Sequence, residues 1–464
     1  MTGNYLEEIL IWQRKRTRTF ITFTVLNVLL GMEYSMIDPS VHTYLADTVH
    51  CNRPSLFSHL IRASYFASLI ITGLCFGRYA DLTRKTWLAN QFGNILLLMG
   101  NLMYAMYVPS SIVFPFAGRI LSGMGAALRV LTFAEICRQG SQKEVARYVP
   151  MQCWAYSMGI TAGPAINLLF RDINFSVGGW QINRWNIPGL FMAVAFLITQ
   201  IVSFFMVHDI AFEGDTPSHR LLRETNFKNC YGALIPDLEI QQKLPRSSRY
   251  ISKVQQNTAS QSFIWKRLLT NPDWLILMSM TFLFGITVSS FDIWLPLTVI
   301  ERLQYGPGVL SAVIVGTLIM SASMVFVLAW KPLSKKYVYL SYILTIIGTI
   351  VVLGTLLVLN MRSANRDLND ALLVVYALLI PFILYTHQFP AMSVCWMTLP
   401  STMGYAQGIQ HGFYRIGGVL GVLLSPIAYE SFTETVVVML LLSSCLLLCI
   451  SIRRKSLSDP TCIF

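Results

Sequence analysis

Val338-Tyr-Leu-Ser-Tyr-Ile-Leu-Thr-Ile-Ile-Gly-Thr-Ile-Val-Val-Leu-Gly-Thr-Leu-Leu-Val-Leu-Asn360 runs without a single charged residue. As a helix rising ~1.5 Å per residue, it is long enough to cross the ~30 Å hydrocarbon core of a bilayer. Similar apolar runs fall near 18–41, 57–77, 87–107, 112–135, 148–170, 187–207, 274–299, 308–330, 371–396, 405–428 and 432–452. In lipid only helices and closed barrels satisfy every backbone amide and carbonyl. The alternation over ~10 residues that marks a barrel strand is missing. The expected fold is therefore an all-α membrane protein, with twelve transmembrane helices in two six-helix bundles.

Composition agrees. The chain is 54% hydrophobic and 12% charged, against ~25% charged in an ordinary soluble domain. Its net charge of +12 gathers at the ends of the apolar runs, so it reads as topology rather than as a nucleic-acid signal. Arg14, Lys15, Arg16 and Arg18 precede the first run, and Arg453, Arg454 and Lys455 follow the last. Loops on that same side carry Arg78, Arg84 and Lys85, then Arg138, Lys143 and Arg147, then Lys331, Lys335 and Lys336. The positive-inside rule then puts both termini in the cytosol. Asn174-Phe-Ser176, the one N-glycosylation sequon, falls in a luminal loop, which makes Asn174 the expected glycan site. Of the nine cysteines only Cys51 is luminal, so no structural disulfide is expected. No Cys/His spacing suggests a metal, and no phosphate-binding loop or clustered nucleophile and base suggests a cofactor or an enzyme. No cleavable signal peptide is evident.

The longest polar stretch divides the chain. The layout is a cytosolic N-terminus (1–17), a six-helix bundle (18–207), a basic cytosolic linker (208–270), a second bundle (271–452) and a cytosolic tail (453–464). A short surface helix is expected at Ser262–Leu269. Two similar halves joined by a linker is the layout of an internally duplicated transporter.

Three motifs carry a resemblance. Gly77-x-x-x-Asp81 followed by Arg84-Lys85 resembles the G-x-x-x-D-R-x-G-R-R loop signature of the major facilitator superfamily, with Leu82 in place of the first basic residue. Arg119-Ile-Leu-Ser-Gly123-Met-Gly125 resembles its R-x-x-x-G-x-G motif, and Gly159-Ile-Thr-Ala-Gly163-Pro164 its G-x-x-x-G-P motif. Within the superfamily, Ala117–Ala126, Gln181–Gly189 and Phe291–Thr298 look most like the lysosomal branch associated with ceroid lipofuscinosis. Vacuolar phosphate carriers with SPX domains rank second. The resemblance implies alternating access, an endomembrane address and a central cavity lined by spans 1, 4, 7 and 10. It also implies a charged latch at the cytosolic mouth, from Asp81 and Lys85 on the loop that holds Gly77 and Arg84 and from Glu135 at the end of span 4. Gly123, Gly125, Gly159 and Gly163 are expected to let helices pack closely, with Pro164 bending span 5.

Ionisable groups inside spans cost ~3 kcal/mol or more and mark cavities or partners. Here they are Glu33, Asp38, Arg119, Arg129, Asp292, His387, His411 and Arg415. Arg119 fits an anion-binding role, or a structural pair with Glu33. Glu33 is the proton-coupling candidate, opposed by burial and by a neighbouring arginine. Gln407, Gln410, His411 and Tyr414 share one helical face. The substrate or coupling set is Glu33, Arg119, Asp292, His387, Gln410, His411 and Arg415. The expected activity is secondary transport of a small anionic solute, proton-coupled or not. An anion channel on the same fold, or a non-transporting sensor, are the alternatives. The expected partners are a small solute and the bilayer, with the chain monomeric.

Overall fold

A computed structural model describes residues 2–37, 41–106, 111–139, 142–170, 172–178, 180–213, 270–299, 303–305, 307–330, 337–360, 366–397 and 402–458. Every expected apolar run holds a helix. In chain order these are α1 (Thr2–Ile37), α2 (Pro54–Thr83), α3 (Trp87–Ala105), α4a (Val113–Ala126) with α4b (Leu128–Gln139), α5 (Gln142–Leu168) and α6 (Ile187–Met206). The second half holds α7 (Pro272–Leu297), α8 (Pro307–Trp330), α9 (Val338–Asn360), α10 (Arg366–Met397), α11 (Met403–Glu430) and α12 (Phe432–Ile452).

Among the described residues, seven helices are both long and apolar enough to span a membrane by themselves. Helix α3 falls short because it carries Asn90, Gln91, Asn94 and Asn101, and all four are buried in protein. Asn94 donates to Ser203 on α6 at 3.1 Å, and Asn101 to Ser122 on α4a at 3.4 Å. Polar side chains that bond across helices replace the hydrophobic drive that lipid cannot supply.

Three differences from the sequence reading have local causes. Helix α1 starts at Thr2 rather than near 18, because its first turns dock on the protein. Trp12 donates to the Ile210 carbonyl at 3.3 Å, Lys15 pairs with Glu213 at 3.0 Å, and Arg16 with Glu144 at 3.0 Å. The all-α fold holds, and among the described residues one loop within it carries a short piece of β structure. A hairpin, β1 (Asn174–Val177) paired antiparallel with β2 (Trp180–Asn183), joins α5 to α6 and turns at Gly178 with φ 56°. Trp180 and Asn183 tie it down, donating to the Ala105 carbonyl and to Thr48. Finally, the head of the basic linker is packed. Asp209 accepts from the Thr86 and Trp87 amides at 2.6 and 2.7 Å, capping α3 from outside. The polar segment that follows, with the expected helix at Ser262–Leu269, lies outside the described residues, as do Asp38, Lys331, Lys335 and Lys336.

Glycine sets the helix spacing. Within the first half, α1 and α5 touch backbone to backbone. A methyl on Gly159 would land on the Val28 carbonyl, and one on Gly31 on the Tyr156 carbonyl. Gly123 likewise abuts the Tyr65 carbonyl, Gly125 lies against Leu97 and the Gly93 carbonyl, and Gly163 meets the Ser35 hydroxyl. Helix α5 continues through position 164 to Leu168, and the Pro164 side chain is outside the described set. Between the halves, α2 packs on α11 and α5 on α8. Gly77 and Gly404 face each other so closely that a methyl on either would overlap the other's carbonyl. This contact is at the end of the bundle that also holds Lys15 and Glu213, here termed the linker face. The hairpin marks the opposite face.

Replacing Gly159 with leucine should lower stability by roughly 1–3 kcal/mol or more through overpacking. Gly354→Ala, where nothing lies within 4 Å of the added methyl, should be neutral or slightly stabilising. Thermal unfolding of the two purified variants in detergent checks both.

Candidate functional site

Charged and polar side chains inside the bundle fall into three layers. The first, toward the hairpin face, is an ion pair. Arg119 on α4a bonds Glu33 on α1, and their side chains are 1% and 0% exposed. Tyr65 on α2 donates to Glu33 Oε2 at 3.2 Å, and Ser122 reaches the same carboxylate. The Arg119 guanidinium also lies 4.2 Å from the centre of the Tyr65 ring. Glu33 and Arg119 therefore cancel each other's charge, and aromatic and hydroxyl groups occupy what remains. Asp292 sits on α7, but its side chain lies outside the described residues.

The second layer is a small cavity beside the ion pair, sharing Tyr65 with it and lined by Leu30, one turn before Glu33 on α1. It has room for about one water molecule. Its polar lining is Tyr65, Arg129, Tyr156, His411 and Arg415. Arg129 belongs to α4b and Arg415 to α11, so each half contributes one guanidinium. Both meet on Tyr156 of α5. Arg129 lies 4.0 Å over the ring, and Arg415 hydrogen-bonds the side chain. Arg415 also lies 4.9 Å over Phe66 and 5.0 Å over Tyr414. Among the described residues, no carboxylate comes within ion-pair distance of either arginine. Arg129 Nε, Arg415 Nε and His411 Nε2 are buried without a hydrogen-bond partner.

The face shared by Gln407, Gln410, His411 and Tyr414 is buried or half-buried rather than set at the surface. Gln410 is 3% exposed. His411 packs edge-on to Phe133 of α4b at 5.5 Å. His387 of α10 stacks on Phe284 of α7 at 3.6 Å, with Tyr414 at 6.1 Å. His387 is thus an aromatic neighbour of the chamber, while His411 lines it.

The third layer closes the linker face. Asp81, at the end of α2, accepts from the Gly404 amide at 2.8 Å and the Tyr405 amide at 2.7 Å. A carboxylate from one half thus caps the N-terminus of α11 in the other, where free amides and the helix dipole favour negative charge. Arg138 pairs with the same carboxylate at 2.6 Å and with Glu135 at 3.4 Å. Glu135 in turn accepts from the Ala211 amide at 2.9 Å. The expected latch had Lys85 and Arg84 as its cations, but among the described residues the cation on the Asp81 carboxylate is a different one. Lys85 lies 4.8 Å over the Phe212 ring. Arg84 ends α2 in a left-handed turn, its φ 58° and its amide bonded to Ala80. The cation is Arg138, one helical turn beyond Glu135. Its helical offset from Glu135 was readable in sequence, but its reach to Asp81 was not.

A comparison of the whole chain decides the class. The Major Facilitator Superfamily profile matches residues 23–422. The chain belongs to that superfamily. It is a multi-pass membrane protein of the transporter fold, not an enzyme. The human organic anion transporter MFSD10 (TETRAN) superposes with a TM-score of 0.64 at 12% identity, over 94% of this chain and 98% of that one. The proton:xylose symporter XylE, bound to 6-bromo-6-deoxy-D-glucose, gives a TM-score of 0.72 at 12% identity, with 96% of each chain covered. At such identity the likeness speaks for the fold alone. Two SPX domain-containing membrane proteins from Oryza sativa subsp. indica are 33% identical over 117 residues and 28% over 116. The matched region is 23% of this chain and spans only 15% of those relatives' length.

Two measurements test these layers. Glu33→Gln, which leaves Arg119 buried and unpaired, should cost about 3–5 kcal/mol of stability, and a Glu33→Gln/Arg119→Gln double variant should recover much of it. A double-mutant cycle on unfolding midpoints reads the coupling. Asp81→Asn should accelerate hydrogen exchange at the Gly404 and Tyr405 amides, with no change in the α1–α5 contact. Arg138→Gln should do so to a lesser degree.

Proposed function

We propose that this major facilitator protein is a secondary carrier that moves a small anionic solute by alternating access. One observation carries the reading: Arg129 and Arg415, from opposite halves, meet at one buried chamber with no carboxylate beside them among the described residues. A guanidinium offers a planar pair of donors suited to carboxylate or oxyanion groups. An anion there would contact both halves at once, so its binding energy would depend on how the halves are tilted. That dependence is what a carrier needs. The name of the structural neighbour MFSD10, an organic anion transporter, is consistent with such a cargo.

Gln410 and His411 complete the binding set in this reading, and His387 and Tyr414 form its aromatic wall. Glu33 and Arg119 serve coupling rather than substrate. Protonation of Glu33 would release Arg119 and break the bond from Tyr65, which also lines the chamber. Gly77, Asp81, Arg138 and Glu135 hold the linker face shut. The basic loops support a cytosolic linker face with both termini on that side, and Asn174, exposed on the hairpin, then faces the lumen as a glycan acceptor. The resemblance to the lysosomal branch supports an endomembrane location. A channel needs an open, multi-site path. The backbone-to-backbone closure at Gly77 and Gly404 favours a carrier instead.

Saturable uptake of a labelled anion into proteoliposomes, responsive to a pH gradient, tests the proposal. Arg415→Gln should reduce it by about 100-fold or more while the protein stays monodisperse, the scale of losing one buried charge partner. Asp81→Asn should slow transport at unchanged abundance. Failure of every anion in a broad panel to show saturable uptake would end the reading.

A further inference from the structure

The number of charges on the cargo follows from a count that the carrier proposal leaves unused, and the count rests on that proposal. The two deep layers differ in net charge. Arg119 is neutralised by Glu33 in the first. In the second, Arg129 and Arg415 stay cationic at any physiological pH, and the remaining polar lining is two tyrosines and His411. Burying an uncompensated charge in a low-dielectric interior is expensive, and the expense is smallest when ligand and site sum to zero.

We propose that the chamber selects a small dianion over monoanions of the same shape, taking one negative charge on each guanidinium. The chemical class is a short dicarboxylate or a tetrahedral oxyanion carrying two charges; the cavity as packed here has room for about one water, so such an anion enters as the two halves part and α11 moves away from α4b. A monoanion would satisfy one arginine and leave the other, buried Arg415 or part-buried Arg129, without a counter-charge. Tyr156 keeps the cations apart, with Arg129 on its ring face and Arg415 bonded to its side chain. The two cations are therefore held as separate binding points rather than one diffuse patch. The unpartnered Nε atoms of both arginines and His411 Nε2 are donors in reach of the same chamber. Two carboxylates, or two edges of one oxyanion, match that arrangement, whereas a halide or a single carboxylate uses half of it.

The test uses ligand pairs that keep their shape and lose one charge: sulfate against methanesulfonate, and succinate against its monomethyl ester. The full-length protein in proteoliposomes is competed with each, against whichever labelled anion it carries. In at least one pair the dianion should compete at a concentration lower by ~30-fold or more, and the pair that responds distinguishes oxyanion from dicarboxylate. Arg129→Gln should bring the ratio close to one, and Arg129→Lys, which keeps the charge, should preserve most of it. Equal competition by both members of both pairs, or a ratio untouched by Arg129→Gln, overturns the proposal. If no anion is transported, the carrier reading fails separately. Thermal stabilisation of the detergent-purified protein by the same four anions then reads the same ratio, and absence of a dianion preference there overturns the inference too.

Discussion

A charge in hydrocarbon must be answered by protein, because no water is present to answer it. The interior polar architecture of this chain follows from that constraint. Glu33 and Arg119 answer each other from α1 and α4a, with Tyr65 on the carboxylate and under the guanidinium. Asp81 is answered by two α11 amides and by Arg138. Glu135 is shared between Arg138 and the Ala211 amide. Against that pattern of closed accounts, Arg129 and Arg415 stand out as cations faced by aromatic rings and hydroxyls.

Glycine makes these layers geometrically feasible. Side chains such as Glu33 and Arg119 meet only if their helices run close, and Gly31 with Gly159 draws α1 onto α5 while Gly123 draws α4a onto α2. The same device works between halves at Gly77 and Gly404. Contacts inside a half and across halves differ in one respect. The α1–α5 contact lies within one bundle, whereas the α2–α11 contact, which runs from Gly77 and Gly404 along to Phe66 and Gly418, joins the two and is fastened at the linker face by the Asp81 carboxylate. The second kind can open without dismantling a bundle.

Much of this was legible in the sequence. Apolar runs locate the spanning helices, because hydrocarbon thickness fixes the length a span must have, although four buried amides dilute the run on α3. The ion pair was readable as one of two alternatives for Arg119, since Glu33 and Arg119 are the expensive charges on spans 1 and 4. What the sequence hides is rotation and register between helices. Arg129 is as visible as Arg119 in the text of the chain, yet only the packed bundle sets it across from Arg415 on a shared tyrosine. Arg138 looks like one more basic residue at a span end until α2 and α11 come together beside it. The first turns of α1 carry too many charges to register as a span. Their helicity comes from Lys15, Arg16 and Trp12 docking on other elements, which local propensity does not encode.

The Ala211 amide rests on Glu135, which holds Arg138, which holds Asp81 at the tip of α11. The peptide that begins the covalent tie between the halves is thus also the last member of a hydrogen-bonded chain ending at their meeting point. A tug or twist delivered through the tether at Glu213 would be felt at that fastening as well as at Lys15 on α1 and at the Asp209 cap of α3.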